Sequence, residues 1–399
     1  MHEHLLDPEV QRFIITHEND DENELILKGK KIKDVPAAVV ADQIVGRRKA
    51  KAKLPLYYSS PGIVYPPTVN LEQCTSEEVA QLKSDLINRE VREGLRCIDL
   101  TGGFGVDTFF LSKIFHAVES VEPNSSLLEI ARHNHKQLNA ENISYYNTHA
   151  EEFLDEINTR ANLIYVDPSR RDNASKKVIK FSDCSPNVVE LLNIILLKTD
   201  FALIKASPML DVQQGITELK NVHKVYVIAV ENDCKELLFL CIKEKGESST
   251  IETINVRKGV RESFSFSLSE EKLCGISFSD PRQFLYEPNS AILKAGAFKM
   301  AANRYLLDKI SPNTHLYTSD KLIDGFPGRT FRILSFVKPN SVQLKKILPE
   351  MRANVLTRNY PLSVNELKKK LAIADGGNNY IIGFSGQSKK YLVVASRIR

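Results

Sequence analysis

The chain lacks the long apolar segment that a membrane-spanning helix requires. Its 399 residues contain no uncharged apolar run of about 18 residues. The opening residues, MHEHLLDPEVQRF, include acids where a secretory signal needs a basic start and an apolar core. We therefore expect a cytoplasmic protein with no membrane contact.

Cysteine is sparse, and its spacing excludes two common uses. The six cysteines form no C-x-x-C pair, and no histidine lies at a spacing suited to zinc. This pattern predicts reduced thiols and no bound metal. Internal repeats and low-complexity tracts are also absent, which excludes a repeat architecture.

Acidic residues are scarce at the end of the chain. Residues 331–399 contain 13 Lys or Arg and only three acids, a net charge of +10 in a chain whose total is +4. Such a concentration of positive charge suggests a polyanionic partner, of which nucleic acid is the commonest. The alternative is a solvated basic face that binds nothing.

The length of the chain predicts several domains, because one hydrophobic core rarely serves so many residues. Residues 1–95 are predicted to form a helical domain, whose last helix opens with a cap at Thr75/Ser76. Residues 96–245 alternate strand-length apolar runs with helical stretches, which predicts an α/β domain with a parallel sheet. Seven strands are expected there, and the short ENDCK connection makes the closing pair an antiparallel hairpin. Residues 246–330 and 331–399 complete the predicted division.

A glycine-rich turn follows the first predicted strand. The strand ends at Asp99, and the turn Gly102-Gly103-Phe104-Gly105 leads into a helical stretch. Open α/β sheets use such a turn to bring backbone close to a ligand at the carboxyl end of a strand, where a Cβ would obstruct it. A dinucleotide fingerprint is incomplete, because Thr108 occupies the place of its third glycine. The alternative is a turn that only packs helix on strand.

Acids end two further predicted strands. The second strand ends in Glu122, whose carboxylate can accept hydrogen bonds from two ribose hydroxyls, and the fourth ends in LIYVDPSRR. With DLTGGFGVD, VEPN, NTHAEEF and DPSRR in this order, residues 96–245 resemble the class I S-adenosylmethionine-dependent methyltransferases. The resemblance implies a Rossmann-like sheet, S-adenosyl-L-methionine as the cofactor, and methyl transfer as the reaction.

The resemblance also implies which residues hold the cofactor. The turn would lie under its methionine part, Asp99 would anchor the loop or bond the amino group, and Glu122 would hold the ribose. His149 stands where the family commonly has an acid; it is a candidate base or, alternatively, a capping or packing histidine. The implied cofactor-binding set is Asp99, Thr101, Gly102, Gly103, Gly105, Glu122, Pro123, Asn124, His149 and Ala150.

The family motif D/N-P-P-Y, which binds exocyclic amines of bases, has a variant in this chain. Here it reads Asp167-Pro168-Ser169-Arg170, and the resemblance implies catalytic roles for these four residues. A carboxylate that accepts the amine hydrogens favours a more tetrahedral and reactive nitrogen. A base nitrogen is therefore the expected methyl acceptor.

Three basic residues are candidate substrate contacts, namely Arg170, Arg171 and Lys205. Forked guanidinium donors suit a phosphate or a carboxylate, and Lys205 ends the fifth predicted strand. Two alternatives are open. Arg171 can instead pair with Asp172 or Asp183, and Lys205 can be solvated.

The flanks of the sheet suggest the substrate. GRRKAKAKLPLYY places five basic residues from Arg47 to Lys53 beside Tyr57 and Tyr58, which suits phosphate neutralisation with base stacking; a plain basic helix end is the alternative. PGRTFRIL, RANVLTRNYPLSVNELKKKL and DGGNNYIIGFS resemble the THUMP-like C-terminal module of bacterial class I methyltransferases, preceded by a ferredoxin-like segment containing EPNSAILKAGAFKMAANRY. THUMP modules bind RNA.

These patterns together predict a methyltransferase that modifies a base nitrogen in RNA, either rRNA or tRNA. Two other functions stay open. One is methylation of a protein side chain or a small acidic metabolite, whose carboxylate Arg170 would bind. The other is a non-catalytic protein that binds both cofactor and RNA.

Overall fold

The computed structural model describes residues 2–29, 31–91, 94–170, 180–244 and 246–398. The helices within these ranges are α1 (His2–Leu5), α2 (Pro8–Thr16), α3 (Glu22–Lys28), α4 (Ala37–Lys53), α5 (Pro55–Ser59), α6 (Thr68–Gln73), α7 (Glu77–Glu90), α8 (Val106–Leu111), α9 (Ser125–Gln137), α10 (Ala150–Glu156), α11 (Val188–Lys198), α12 (Val212–Leu219), α13 (Leu268–Leu273), α14 (Ser290–Ala295), α15 (Phe298–Arg304), α16 (Ser341–Ile347) and α17 (Val364–Leu371). None of these helices is long and apolar enough to span a bilayer.

The strands are β1 (Arg96–Asp99), β2 (Ala117–Val121), β3 (Ile143–Tyr146), β4 (Ala161–Val166), β5 (Ser169–Arg170), β6 (Cys184–Ser185), β7 (Thr199–Ala206), β8 (Val222–Val230), β9 (Asp233–Cys241), β10 (Thr250–Arg257), β11 (Val260–Ser267), β12 (Phe284–Pro288), β13 (Asp308–Ser311), β14 (Thr314–Ser319), β15 (Gly328–Phe336), β16 (Asn354–Arg358), β17 (Asn379–Ser385) and β18 (Lys390–Arg397). They form a nine-stranded sheet, a seven-stranded sheet and the small pair β5–β6.

The large sheet has the order β11-β10-β8-β9-β7-β4-β1-β2-β3. Strand β1 pairs in parallel with β2 and β4, which places the carboxyl ends of the three at one edge of the sheet. Strands β8 and β9 are joined by a two-residue turn, Glu231 and Asn232, whose positive φ values are those of a tight antiparallel hairpin.

The predicted count of seven strands needs correction to nine. The seven expected strands are present in the described residues, and β10 and β11 extend the sheet beyond β8. Strand β10 pairs in parallel with β8, and β11 runs antiparallel to β10. Since β8 is an apolar strand with buried Val225 and Val227, pairing with β10 satisfies backbone groups that would otherwise form an open edge.

The chain divides into two compact units. The first comprises Met1–His223 and Leu238–Lys245, and the second comprises Lys224–Leu237 and Gly246–Arg399. The six cysteines, all of which lie within the described ranges, form no disulfide.

The first unit contains helices α1–α7. Helix α7 shows why this region is helical: Glu77 and Glu78 occupy its first turn, where acids favour the helix dipole, while Val79 and Leu82 lie on its buried face. Its N-cap residue is Ser76, whose side chain makes no capping bond to the described helix, so the predicted hydroxyl cap needs correction.

The second unit contains the seven-stranded sheet, in the order β13-β14-β12-β15-β18-β17-β16. Its pairs are antiparallel wherever registers are described, apart from the parallel pair β16–β17. Helices α16 and α17 share one apolar core with this sheet, through Leu344 and Leu367 against Ile381 and Val394. Strands and helices alternate from β15 to β17.

Candidate active site

The glycine-rich turn lies between β1 and α8, as predicted. Gly105 has φ 86°, and a Cβ built on it would lie 2.6 Å from the His135 ring, so only glycine fits there. Gly103 has φ 52°, and the nearest atom to its hypothetical Cβ is the Thr101 carbonyl oxygen at 3.8 Å, an ordinary van der Waals contact. Gly102 is also needed for packing, because its hypothetical Cβ would lie 2.3 Å from Ser120 Oγ, whereas Gly103 leaves room for a ligand.

Asp99 holds this turn in place through two hydrogen bonds. The residue is 1% exposed, and its carboxylate accepts hydrogen bonds from the Thr101 backbone N–H (3.0 Å) and the Thr108 hydroxyl (2.6 Å). Burial raises the pKa of Asp99 to about 7. Thr108, which breaks the dinucleotide fingerprint, therefore has a role of its own in holding the loop.

Glu122 lies opposite the turn, just after β2. Its Oε2 accepts a hydrogen bond from the Gly103 N–H and its Oε1 accepts one from the Asn124 N–H, each at 2.9 Å. The carboxylate is thereby fixed in orientation, and each oxygen keeps a lone pair for another donor. The Asn124 side chain is turned towards α9, where its Oδ1 caps the Ser126 and Leu127 N–H groups.

A cleft of about 380 Å³ lies at this edge of the sheet. Of the predicted site residues, those that line it are Thr101, Gly102, Gly103, Gly105, Glu122, Pro123, His149, Ala150, Asp167 and Ser169. Asp99, Asn124, Pro168 and Lys205 are not among the lining residues. His149 occupies the N-cap position of α10, and its backbone N–H contacts Glu152 Oε2 at 3.4 Å.

Asp167 lies at the end of β4, where two contacts fix it. Its backbone N–H donates to the Thr101 hydroxyl (2.7 Å), and its Oδ2 accepts from Lys205 Nζ (2.6 Å). Lys205 is 12% exposed and also donates to the Thr75 hydroxyl at 3.1 Å. The alternative of a solvated Lys205 is therefore wrong.

The remaining predicted residues lie on β5 or beyond it. Ser169 pairs with Ser185 and Arg170 with Cys184 in the two-stranded sheet β5–β6. The Arg170 side chain and the whole of Arg171 lie outside the described residues, so their predicted substrate contacts stay predictions. The same holds for the alternative pairing of Arg171 with Asp172 or Asp183.

Sequence reasoning missed a network of charged side chains at the cleft, of which Asp107 is a lining residue. Asp107 accepts hydrogen bonds from the Thr75 hydroxyl (2.8 Å), Lys83 Nζ (2.9 Å) and the Tyr165 hydroxyl (2.9 Å). Burial alone would raise the pKa of Asp107, but the Lys83 and Lys205 ammonium groups outweigh it and lower that pKa to about 2. One sequence signal could have revealed the network, because Lys83 lies at helical spacing between the apolar residues Val79 and Ile87. In the structure these three residues share the buried face of α7, and the Lys83 side chain is 1% exposed.

The helical region also contributes directly to the cleft. Asn70, Gln73, Cys74 and Thr75 line it, although no motif in these residues predicts a place in the site. Burial raises the pKa of the Cys74 thiol to about 11, so this cysteine is not an activated nucleophile.

The basic stretch from Arg47 to Lys53 is engaged within the first unit, beginning with its two arginines. Arg47 pairs with Glu18 and donates to the Tyr58 carbonyl. Arg48 pairs with Glu22. Both guanidinium groups therefore have partners from elsewhere in the helical region.

The lysines of the same stretch follow this pattern. Lys49 pairs with Glu72, and Lys53 donates to the carbonyls of Leu71 and Glu72. Tyr57, one of the two predicted stacking residues, is fully buried. The prediction that Tyr57 stacks on RNA bases is therefore wrong, and the cations named above already have counter-charges or carbonyl acceptors within the chain.

Comparisons with known proteins agree with the architecture. Residues 284–327 match a ferredoxin-like domain family, and residues 328–397 match a family described as THUMP domain-like. No curated protein sequence matches the chain.

Within the residues that the structure describes, no group of three or more His, Cys, Asp or Glu side chains could hold a metal ion.

Solved structures extend the match to nearly the whole chain. The crystal structure of a "putative methyltransferase" from Porphyromonas gingivalis is 32% identical, with a TM-score of 0.87 over 98% of both chains. A Streptococcus mutans protein with the same description, in complex with SAH, is 15% identical over 41% of this chain and 97% of its own, with a TM-score of 0.31. The chain belongs to the bacterial family of class I S-adenosylmethionine-dependent methyltransferases with a THUMP-like C-terminal domain.

Proposed function

We propose that the chain is an S-adenosylmethionine-dependent methyltransferase that modifies a base nitrogen in RNA, either rRNA or tRNA. The observation that carries the proposal is the cleft itself. It brings the open backbone at Gly103, the fixed carboxylate of Glu122 and the carboxylate of Asp167 to one edge of the sheet.

The residues of the cleft fit the cofactor. The turn at Gly103 has positive φ and no side chain to obstruct an approaching ligand, and Glu122 keeps acceptor capacity for ribose hydroxyls. When bound, S-adenosylmethionine supplies an electrophilic methyl group. Asp167 accepts a hydrogen bond from the target amine and orients its nitrogen, since methyl transfer depends chiefly on alignment in a dry site.

The RNA part of the proposal is supported by the second unit. Residues 328–397 match the THUMP domain-like family, and this segment is strongly basic. Six of its exposed lysines form no side-chain ion pair or hydrogen bond with any residue that the structure describes: Lys338, Lys345, Lys346, Lys369, Lys370 and Lys390. Surface ammonium groups without such partners are available to phosphates.

The direct test is transfer of labelled methyl groups from the cofactor to total RNA, total protein and small-molecule fractions. Label in RNA, located on a base nitrogen by mass analysis of nucleosides, supports the proposal. Label only in protein or metabolites would overturn the RNA assignment. Cofactor binding without transfer to any fraction would point to the non-catalytic alternative.

Asp167→Ala separates chemistry from cofactor binding. We expect transfer to fall by at least about 100-fold, because the target nitrogen loses its orienting acceptor. The cofactor Kd, measured by calorimetry, should stay within a few-fold of the wild-type value. Parallel loss of transfer and cofactor affinity would contradict the role proposed for Asp167.

A further inference from the structure

Lys205 has a geometry that its predicted role as a phosphate contact does not explain. Its Nζ lies 2.6 Å from Asp167 Oδ2, and its side chain is largely buried. The other carboxylate oxygen, Asp167 Oδ1, forms no hydrogen bond with any described residue. Lys205 therefore fixes one oxygen of Asp167 and leaves the second oxygen available.

Lys205 is itself held by the helical region. Thr75, which follows α6, accepts a hydrogen bond from Lys205 Nζ (3.1 Å) and donates one to Asp107 Oδ2 (2.8 Å). Asp107 is in turn bonded to the buried Lys83. Two ammonium groups thus alternate with the carboxylates of Asp107 and Asp167, which both line the cleft, so that each charge has a partner of opposite sign.

We propose that Lys205 is a positioning residue, which orients the Asp167 carboxylate for a neutral amine and is itself oriented by Thr75. This inference rests on the proposed function. A carboxylate held in this way presents one acceptor oxygen in a fixed direction, which suits an N–H donor and disfavours an anionic group at that point. Lys205 then acts through Asp167 and does not bind substrate phosphate.

The test compares Lys205→Met with Lys205→Arg and Asp167→Asn in the full-length chain. We expect Lys205→Met to lower kcat on RNA by roughly 100-fold, the effect of a misplaced reacting group, with the cofactor Kd and the KM for RNA nearly unchanged. Lys205→Arg keeps the charge and should recover part of the rate. The double variant that combines Lys205→Met with Asp167→Asn should be no slower than the slower single variant, because the two residues act as a unit.

Thr75 provides a second test that leaves both charges in place. Thr75→Val removes the hydroxyl at nearly constant volume, and Thr75→Ser keeps it as the matched control. We expect a smaller loss of kcat for Thr75→Val than for Lys205→Met, of about tenfold, and a loss well below tenfold for Thr75→Ser, which keeps the hydroxyl. Thermal unfolding of every variant identifies any that fails to fold, and if Lys205→Met is such a variant, Thr75→Val decides the question.

The outcomes distinguish the two proposals. Wild-type protein that transfers no methyl group to RNA would overturn the proposed function, and this inference with it. If wild-type protein is active, unchanged kcat in folded Lys205→Met would overturn the inference alone, and so would unchanged kcat in folded Thr75→Val. Additive losses in the Lys205–Asp167 double variant, or a loss confined to the KM for RNA, would also overturn it, the latter by restoring the phosphate-contact role.

Discussion

Two basic stretches of this chain look alike in sequence and differ in structure. From Arg47 to Lys53, most of the cations pair with acids or backbone carbonyls of α2–α6 and the loops between them. Residues 331–399 contain thirteen Lys or Arg and only three acids, and six exposed lysines there have no partner among the described residues. A basic stretch is therefore available to a partner only where the segments packed around it carry few counter-charges.

The largest expected effect comes from neutralising the tail. Changing the six lysines Lys338, Lys345, Lys346, Lys369, Lys370 and Lys390 to Gln should weaken binding to bulk tRNA strongly. The slope of log K against log salt should become shallower by roughly one for each lysine that contacts a phosphate. Fluorescence anisotropy between about 50 and 200 mM salt measures both quantities. An unchanged slope would show that the tail is a solvated face that contacts no phosphate.

The helical stretch offers the converse prediction, in stability rather than binding. Arg47→Gln removes the ion pair with Glu18 and the hydrogen bond to the Tyr58 carbonyl, which are largely buried. We expect the free energy of unfolding to fall by about 2 kcal/mol, a usual value for losing charged hydrogen bonds. Affinity for tRNA should not change.

Lys346→Gln is the matched control for Arg47→Gln. Its side chain is exposed on α16, so stability should change by less than about 0.5 kcal/mol. Urea unfolding of both variants, with tRNA binding measured in parallel, gives the full contrast. Equal destabilisation by the two substitutions would show that the cations of the helical stretch are no more engaged in intrachain contacts than those of the tail.

The sequence predicted the parts of the site that depend on short-range pattern. The turn at Gly103 and Gly105 and the acid Glu122 are recognisable because each directly follows an apolar strand, whereas their contacts, such as that between Gly105 and His135, are longer in range. For Thr75, by contrast, local pattern predicts only a helix cap. The Thr75 hydroxyl donates to Asp107, which is 32 residues away in the chain, and accepts from Lys205, which is 130 residues away. Contacts at such separations follow from packing, which local pattern does not contain.

The same limit explains the strands and the charges. The sequence pattern leaves β10 outside the large sheet, because nothing in its own residues marks β8 as the neighbour with which it pairs. Likewise the acids that neutralise Arg47 and Arg48 come from residues 18–22, which the helical packing brings beside α4. In each case the missing information was the identity of a distant partner.

The smallest expected effect concerns Lys51, whose side chain is 61% exposed, more than those of its neighbours Arg47, Arg48 and Lys49. Its Nζ lies 3.7 Å from Glu18 Oε1, a distance at which a surface pair contributes little. Lys51→Gln should therefore change stability by less than about 0.5 kcal/mol and leave tRNA affinity unchanged. Lys51 is exposed like the tail lysines. If Lys51→Gln lowers tRNA affinity as much as Lys346→Gln does, exposure alone decides which lysines contact RNA. Lys51 would then be part of the RNA-binding surface.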